Sequence, residues 1–386
     1  MKKNLWIFAA AAVALAACSN DDTISENIGF DDASAISFRA FTNNMTRAAA
    51  AHFDEPNDNF KVTAFAQGTT STAYFANVTF TTTDGTTFTS PTKYYWPSGN
   101  NLDFYAWAPA SLSNAYNSIP VTVADAAADQ IDFVYAATKD WGKATLQEGT
   151  AATHSISTTV PGVTLNFRHA ESKIIIQLKN SNSNVAVTAN NVTLKNVYGA
   201  GTFVFADANT DGKDNALLTG GWTPSGDADA VYSQDITAAT FTSATAVGTD
   251  MKLIPQVLTA GDTYTAETPG NPAVDDEFTA PCITVALKIQ NSGDNAYILG
   301  AASGENEYVT AMFPLPTTTW VPGKQYTYVV DLAGGGYYPA NHDTDAALDP
   351  ILEGAEIKFV SVTVDDWSPY DADGTEEGVQ DIDVAM

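Results

Sequence analysis

The chain has 386 residues, with 45 Asp or Glu against 17 Lys or Arg, a net charge of −28 at neutral pH. So acidic a surface repels phosphate backbones and anionic headgroups, which excludes nucleic-acid binding and electrostatic docking to a membrane. The length suffices for two domains of ordinary size.

The N-terminus reads as a targeting segment. Lys2 and Lys3 precede an apolar run from Leu5 to Leu15 that is too short to span a bilayer. Leu15-Ala16-Ala17-Cys18 then matches the cleavage pattern of a bacterial lipoprotein signal, so Cys18 is expected to carry lipid and to become the first mature residue. Lipid chains tether a protein without any spanning helix. The chain has 2 Cys, and with Cys18 spent, Cys282 has no partner for a disulfide. In Pro281-Cys-Ile-Thr-Val it reads as a small core residue.

The next stretch organises the rest. In Ile36-Ser-Phe-Arg-Ala-Phe41 the residues Ile36, Phe38 and Ala40 fall on one face of an extended strand, with Ser37 and Arg39 on the other. Asn43 to Ala48 is polar and turn-like, and its bare Arg47 offers a site to an Arg-specific protease. A good strand is thus joined to the body by a cleavable link, and cutting between Arg47 and Ala48 would remove it.

The body reads as β almost throughout, in short alternating runs bounded by Gly, Pro, Asn and Asp. Phe60–Ala66, Ala73–Phe80, Leu102–Ala108 and Ile131–Ala137 are the clearest early strands, with Asp84-Gly85 as a turn before Thr87-Phe88. The sequence thins into small residues from Ala151 to Gly162, where a domain boundary is expected. Later strands are Val163–Phe167, Ser172–Leu178, Asn191–Val197, Thr202–Phe205, Met251–Pro255, Cys282–Ile289, Val309–Phe313, Gln325–Leu332 and Ile357–Val364. Asp207–Gly226 and Thr265–Glu277 read as surface loops. With no regular helical pattern between strands, sandwiches are expected in place of βαβ units. After an acidic linker from Ser368 to Gly378, the tail alternates again: Val379, Ile382, Val384 and Met386 supply apolar positions of a strand with no evident partner in its own fold.

Catalytic motifs are absent. The 4 His residues show no metal-ligand spacing, and there is neither a nucleophile elbow nor a phosphate-binding loop. His169 reads as a structural hydrogen-bonding residue. Asp207, Asn209 and Asp211 open like a calcium loop, but Leu218 stands where a bidentate Glu is needed. No enzyme, cofactor or metal is expected.

Several motifs, taken in order, resemble those of the fimbrillins, the subunits of lipoprotein-derived pili of Bacteroidetes-type bacteria. They are the signal ending at Cys18, Thr46-Arg47-Ala48, Trp96-Pro97 with Leu102–Pro109, Leu165-Asn-Phe-Arg-His169-Ala-Glu-Ser-Lys173, Trp320-Val-Pro-Gly-Lys-Gln-Tyr326, and Val362–Trp367. The resemblance implies two tandem transthyretin-like (Ig-like) β-sandwich domains, delivery as a lipoprotein, cleavage after Arg47 by an Arg-specific surface protease, and polymerisation by strand exchange. Carried onto this chain, residues 1–18 are the signal and 19–47 a propeptide with the removable strand. Residues 48–160 and 161–368 are the two domains, and 369–386 the donor tail. The implied partners are other copies and related pilus subunits head to tail, the protease, and an unidentified receptor, with membrane contact only through the precursor's lipid. The alternatives are a tip or anchor subunit, or a monomeric surface lipoprotein that binds glycans or host protein.

Overall fold

In a computed structural model of the chain, the structure describes residues 35–42, 59–85, 87–112, 115–143, 154–156, 162–205, 221–260, 280–304, 307–333, 337–339, 348–350 and 360–367. Among these the protein is all-β, and the one helical element is a 3₁₀ turn at Ala127–Asp129. The expectation of an all-β fold holds.

The first sheet has 8 strands. Its order is Leu102–Ala108, Asn59–Ala66, Ala73–Thr82, Phe88–Thr89, Phe38–Thr42, Val163–His169, Val134–Lys143 and His154–Ile156. Because Leu102–Ala108 also pairs with Val134–Lys143, all of these but the last close into a ring. The ring encloses a phenylalanine-rich core of Phe38, Phe60, Phe75, Phe80, Phe88, Phe104 and Phe167 with Leu, Val and Ala between them. Every residue of Leu102–Ala108 is buried, on both faces. Its inward Phe104 fills the ring, while its outward Tyr105 and Trp107 pack under a small sheet made of Ile119–Thr122, Ala200–Phe203 and Trp222–Ser225. That two-sided burial explains why this strand reads as a near-continuous apolar run.

The later strands form a second body. One sheet runs Thr245–Leu253, Ser172–Lys179, Lys324–Asp331, Ser361–Asp366. The other runs Ala230–Thr240, Val185–Val197, Cys282–Asn291, Val309–Pro314, Tyr337–Pro339, Leu348–Pro350, with Tyr297–Leu299 added to the third of these. Both sheets contribute to one aliphatic core, in which Ile174, Ile176 and Leu178 meet residues such as Val187, Val285 and Leu287. Strict alternation along Ser172–Lys179 places those three residues inward. Cys282 is buried, as its setting predicted, although it lies outside that cluster, next to the inward Ile283, and burial pushes its thiol up to about 12.

Two expectations need correction, and one further strand carries no signal in the sequence. The Val163–His169 strand belongs to the first sheet, not to the head of the second body. It pairs with Phe38–Thr42 and with Val134–Lys143, and Val163, Leu165 and Phe167 lie in the phenylalanine core. Trp222–Ser225, expected inside a loop, is a strand because Trp222 packs into the aromatic layer over the ring. Ala230–Thr240 escapes a reading by periodicity because it is an edge strand. Tyr232 is its one buried side chain, so no apolar alternation marks it.

Candidate functional site: the first strand and its walls

The Phe38–Thr42 strand lies between two walls and is distant from both in sequence. It runs parallel to Val163–His169 in the register Phe38↔Val163 to Thr42↔Phe167, and antiparallel to Phe88–Thr89 at Phe38↔Phe88. Just ahead of it the Ile36 amide donates to the Tyr94 carbonyl at 2.7 Å, and the Val163 amide donates to the Ser37 carbonyl at 2.9 Å. Gly162 permits this close approach. A Cβ there would stand 3.2 Å from the Ser37 oxygen and 3.3 Å from the Phe38 carbonyl carbon.

The alternation expected from sequence is present. Ile36 and Phe38 are buried, Ala40 packs against the same core, and Ser37 and Arg39 fall on the other side. Phe38 is the keystone. It is fully enclosed, and its ring sits edge-to-face against Phe80 at 4.7 Å, Phe104 at 5.1 Å and Phe60 at 6.1 Å. Edge-to-face pairs are directional, so the three rings shape a specific socket. Emptying it would leave the apolar side chains of both walls in water and strip the Val163–Phe167 backbone of its ladder partner, which is the condition that invites another strand.

The far end of the groove wall is tied to the end of the second body. His169 follows Phe167 by two residues. Its Nδ1 lies 2.7 Å from Asp132 Oδ1, and its ring stacks on Trp367 with centroids 3.7 Å apart and planes 7° from parallel. The Trp367 amide donates to the Gly323 carbonyl at 2.8 Å, and the Gly323 amide donates to the Glu171 carbonyl at 2.9 Å. Gly323 has φ +69°, a conformation that favours glycine. The Glu171 carboxylate accepts from the Phe133 amide at 3.1 Å, and burial, with Asp132 nearby, pushes it up to about 8 against the opposing effects of that hydrogen bond and Lys252. The Ser172 hydroxyl donates to Val321, and the Trp222 indole N–H donates to the Ala170 carbonyl. The Arg-His-Ala-Glu-Ser run and the Trp-Val-Pro-Gly run are therefore two halves of one joint.

Of the residues singled out from sequence, Ile36, Phe38 and Ala40 are thus brought together in one core. Cys18, Arg47, Ala48, Val379, Ile382, Val384 and Met386 lie outside the described residues, as do Asp207–Gly212. Sequence reading missed the Val163–His169 wall and the His169–Trp367 stack; Pro161-Gly162 just ahead of a β run was the available signal for the wall. Among the described residues no group of three or more His, Cys, Asp or Glu is arranged to hold a metal, and no helix is long and apolar enough to cross a membrane.

An all-β body with a phenylalanine socket around its first strand is the class of molecule these contacts define. The fimbrillin-like family model matches residues 46–367, and the chain belongs to that family. The match starts beyond the first strand and stops at Trp367. Membership makes the protein a fimbrial subunit of the cell surface, in a family of structural proteins with roles in pili and adhesion. Among solved structures, it is similar to a fimbrial protein from Bacteroides vulgatus (14% identity, 86% of this chain and 99% of that chain, TM-score 0.51). It is also similar to a putative cell adhesion protein from Bacteroides uniformis (18%, 87% and 100%, TM-score 0.44) and to the tip fimbrial protein Mfa3 from Porphyromonas gingivalis (10%, 86% and 98%, TM-score 0.37). No curated protein matches the sequence.

Proposed function

We propose that the chain is a shaft subunit of a surface fimbrium that assembles by exchanging its first strand for the tail of another copy. It is exported with lipid on Cys18, and an Arg-specific protease cuts between Arg47 and Ala48. The severed strand then leaves the groove between Phe88–Thr89 and Val163–His169. Val379, Ile382, Val384 and Met386 of a neighbouring copy supply the replacement. Such a contact does not close on itself and so propagates as a filament. Cutting also frees the subunit from its lipid. On this reading the first domain runs from residue 48 through His169, nine residues past the boundary expected from sequence, and the second from Glu171 to Ser368.

One observation carries the proposal. Phe38, eight residues before the family match begins, is a fully buried keystone of a core that, apart from Ile36 and Ala40 of the same segment, is built from residues 60 to 167. A core that depends on a segment ahead of a cleavable link is made to be opened there. Tip and anchor positions fit less well, since a shaft subunit alone needs both a groove and a donor.

Treating the lipid-free precursor with an Arg-specific protease at high protein concentration and viewing it by electron microscopy tests this. A single cut at Arg47 should yield filaments, and deletion of Gly378–Met386 should yield folded monomers only. A trimmed product that stays monomeric at every concentration refutes it.

A further inference from the structure

The geometry points to an interlock: two reciprocal arms lock the ring and the second body together, so that neither opens without the other. This goes beyond strand exchange and does not depend on it. Two bodies on one chain need a single covalent crossing, and the link Ala170-Glu171 supplies it here. The arms add further crossings, and each seats side chains from one half of the chain in the packing of the other.

The first arm comes from the ring's half of the chain. Ile119–Thr122 pairs antiparallel with Ala200–Phe203, in the register Ile119↔Phe203 to Thr122↔Ala200. The Val123 amide then donates to the Gly199 carbonyl at 2.8 Å, and Val123 and Ala127 are buried in the aliphatic core of the second body. Gln130 fixes the end of the arm. Its buried side chain accepts from the Lys252 amide at 2.6 Å and donates to the Ala124 carbonyl at 3.1 Å. Withdrawing the arm breaks these bonds and exposes Val123 and Ala127 in the same movement.

The second arm runs the other way. It carries Phe203 and Phe205 into the aromatic layer over the ring. The Phe203 ring centroid lies 4.8 Å from that of Tyr135 and 5.1 Å from that of Phe133, and Phe205 lies 5.3 Å from Tyr105. Trp222 returns along the same sheet. It packs against both this layer and the aliphatic core, and its indole N–H donates to the Ala170 carbonyl within the covalent link. Parting the bodies must therefore strip the Ile119–Thr122 ladder and draw apolar side chains out of both bodies together. Contacts that yield together make opening cooperative. In a fimbrial subunit such a splice passes tension from body to body through packed sheets as well as through the two-residue link.

Hydrogen exchange of the uncut, lipid-free chain tests this, because the slowest amides report the opening of the core that holds them. Leu178 lies in the second core. Leu178→Ala should speed the slowest amides of Leu102–Ala108 in the ring by the same factor as those of Lys324–Asp331, at least about 30-fold. Acceleration confined to Lys324–Asp331 would overturn the inference. Gln130→Ala with Trp222→Ala removes one anchor from each arm and should separate the two openings, leaving the slowest amides of the two strands about tenfold apart. Equal rates in that variant would show that the arms are not the lock and would equally overturn the inference. Should that variant fail to fold, the Leu178→Ala comparison decides alone. The first strand stays in place throughout, so neither result bears on strand exchange.

Discussion

The two cores of this molecule are built to opposite plans. The first is a ring packed with phenylalanines whose edge-to-face contacts fix a socket, and one of its keystones comes from a segment joined to the rest through residues 43–58. The second is mostly aliphatic, and its strands are embedded in the chain between Ser172 and Asp366, so no single cut near a terminus removes its centre. Its aromatic groups are tied by hydrogen bonds instead: the Trp320 indole donates to the Tyr328 hydroxyl at 2.8 Å, and the Tyr326 hydroxyl donates to the Thr319 carbonyl at 2.7 Å. The difference is that, among the described residues, the first core takes a keystone from a segment near the N-terminus, and the proposed exchange is placed there. On the proposed reading, the shaped socket would select the replacement strand, and the second core would keep the subunit folded meanwhile.

The largest expected effect lies at the keystone. Phe38→Ala should destabilise the uncut precursor by about 3–5 kcal/mol in denaturant unfolding, as full-size aromatic truncations in cores do. Leu178→Ala in the second core should cost about 2–5 kcal/mol. The contrast sharpens after cleavage and displacement of the strand: the Leu178 penalty should persist in the cut protein and the Phe38 penalty should vanish. A Phe38 penalty that survives displacement would break the comparison.

Next comes the joint between the two bodies. Glu171 has its folded-state value raised to about 8, well above the ordinary carboxyl value near 4.5, so the folded protein holds a proton that the unfolded chain has released. Its stabilising share is fully present below about pH 4.5 and is lost as pH rises through about 8, with a slope of at most about 1.4 kcal/mol per pH unit. Glu171→Gln keeps an acceptor for the Phe133 amide and removes the titration. Urea unfolding should show wild type losing stability from pH 5 to pH 8 and the variant losing less; equal slopes would contradict the assignment.

The smallest effect belongs to the second core. Tyr328→Phe removes the acceptor of a buried indole and should cost about 1–3 kcal/mol, with no change in cleavage or filament growth. Burial also pushes the Tyr328 hydroxyl up to about 12, so its loss should leave the pH profile between 5 and 8 unmoved.

Much of this was legible in the sequence because alternation reports burial on one face. Ile36-x-Phe38-x-Ala40 and Ser172–Lys179 each have one wet side, and periodicity finds them. Leu102–Ala108 stood out for the opposite reason, being buried on both sides. What stayed hidden were pairings, which leave no local mark. Nothing in Val163-Thr-Leu-Asn-Phe says that its partner lies more than a hundred residues upstream and runs parallel to it. The exposed edge strand at Ala230–Thr240 has too little apolar surface to show a period, and its pairing with Val185–Val197 defines it. His169 was read correctly as a structural residue, but its stacking on Trp367 depends on two bodies meeting, which no window of sequence contains.

The most direct test of strand removal is the N-terminus of subunits recovered from assembled fibres, read by mass spectrometry. The account predicts chains that begin at Ala48 and no retained peptide containing Phe38. Fibres whose subunits still carry Ile36–Thr42 in the groove would contradict it.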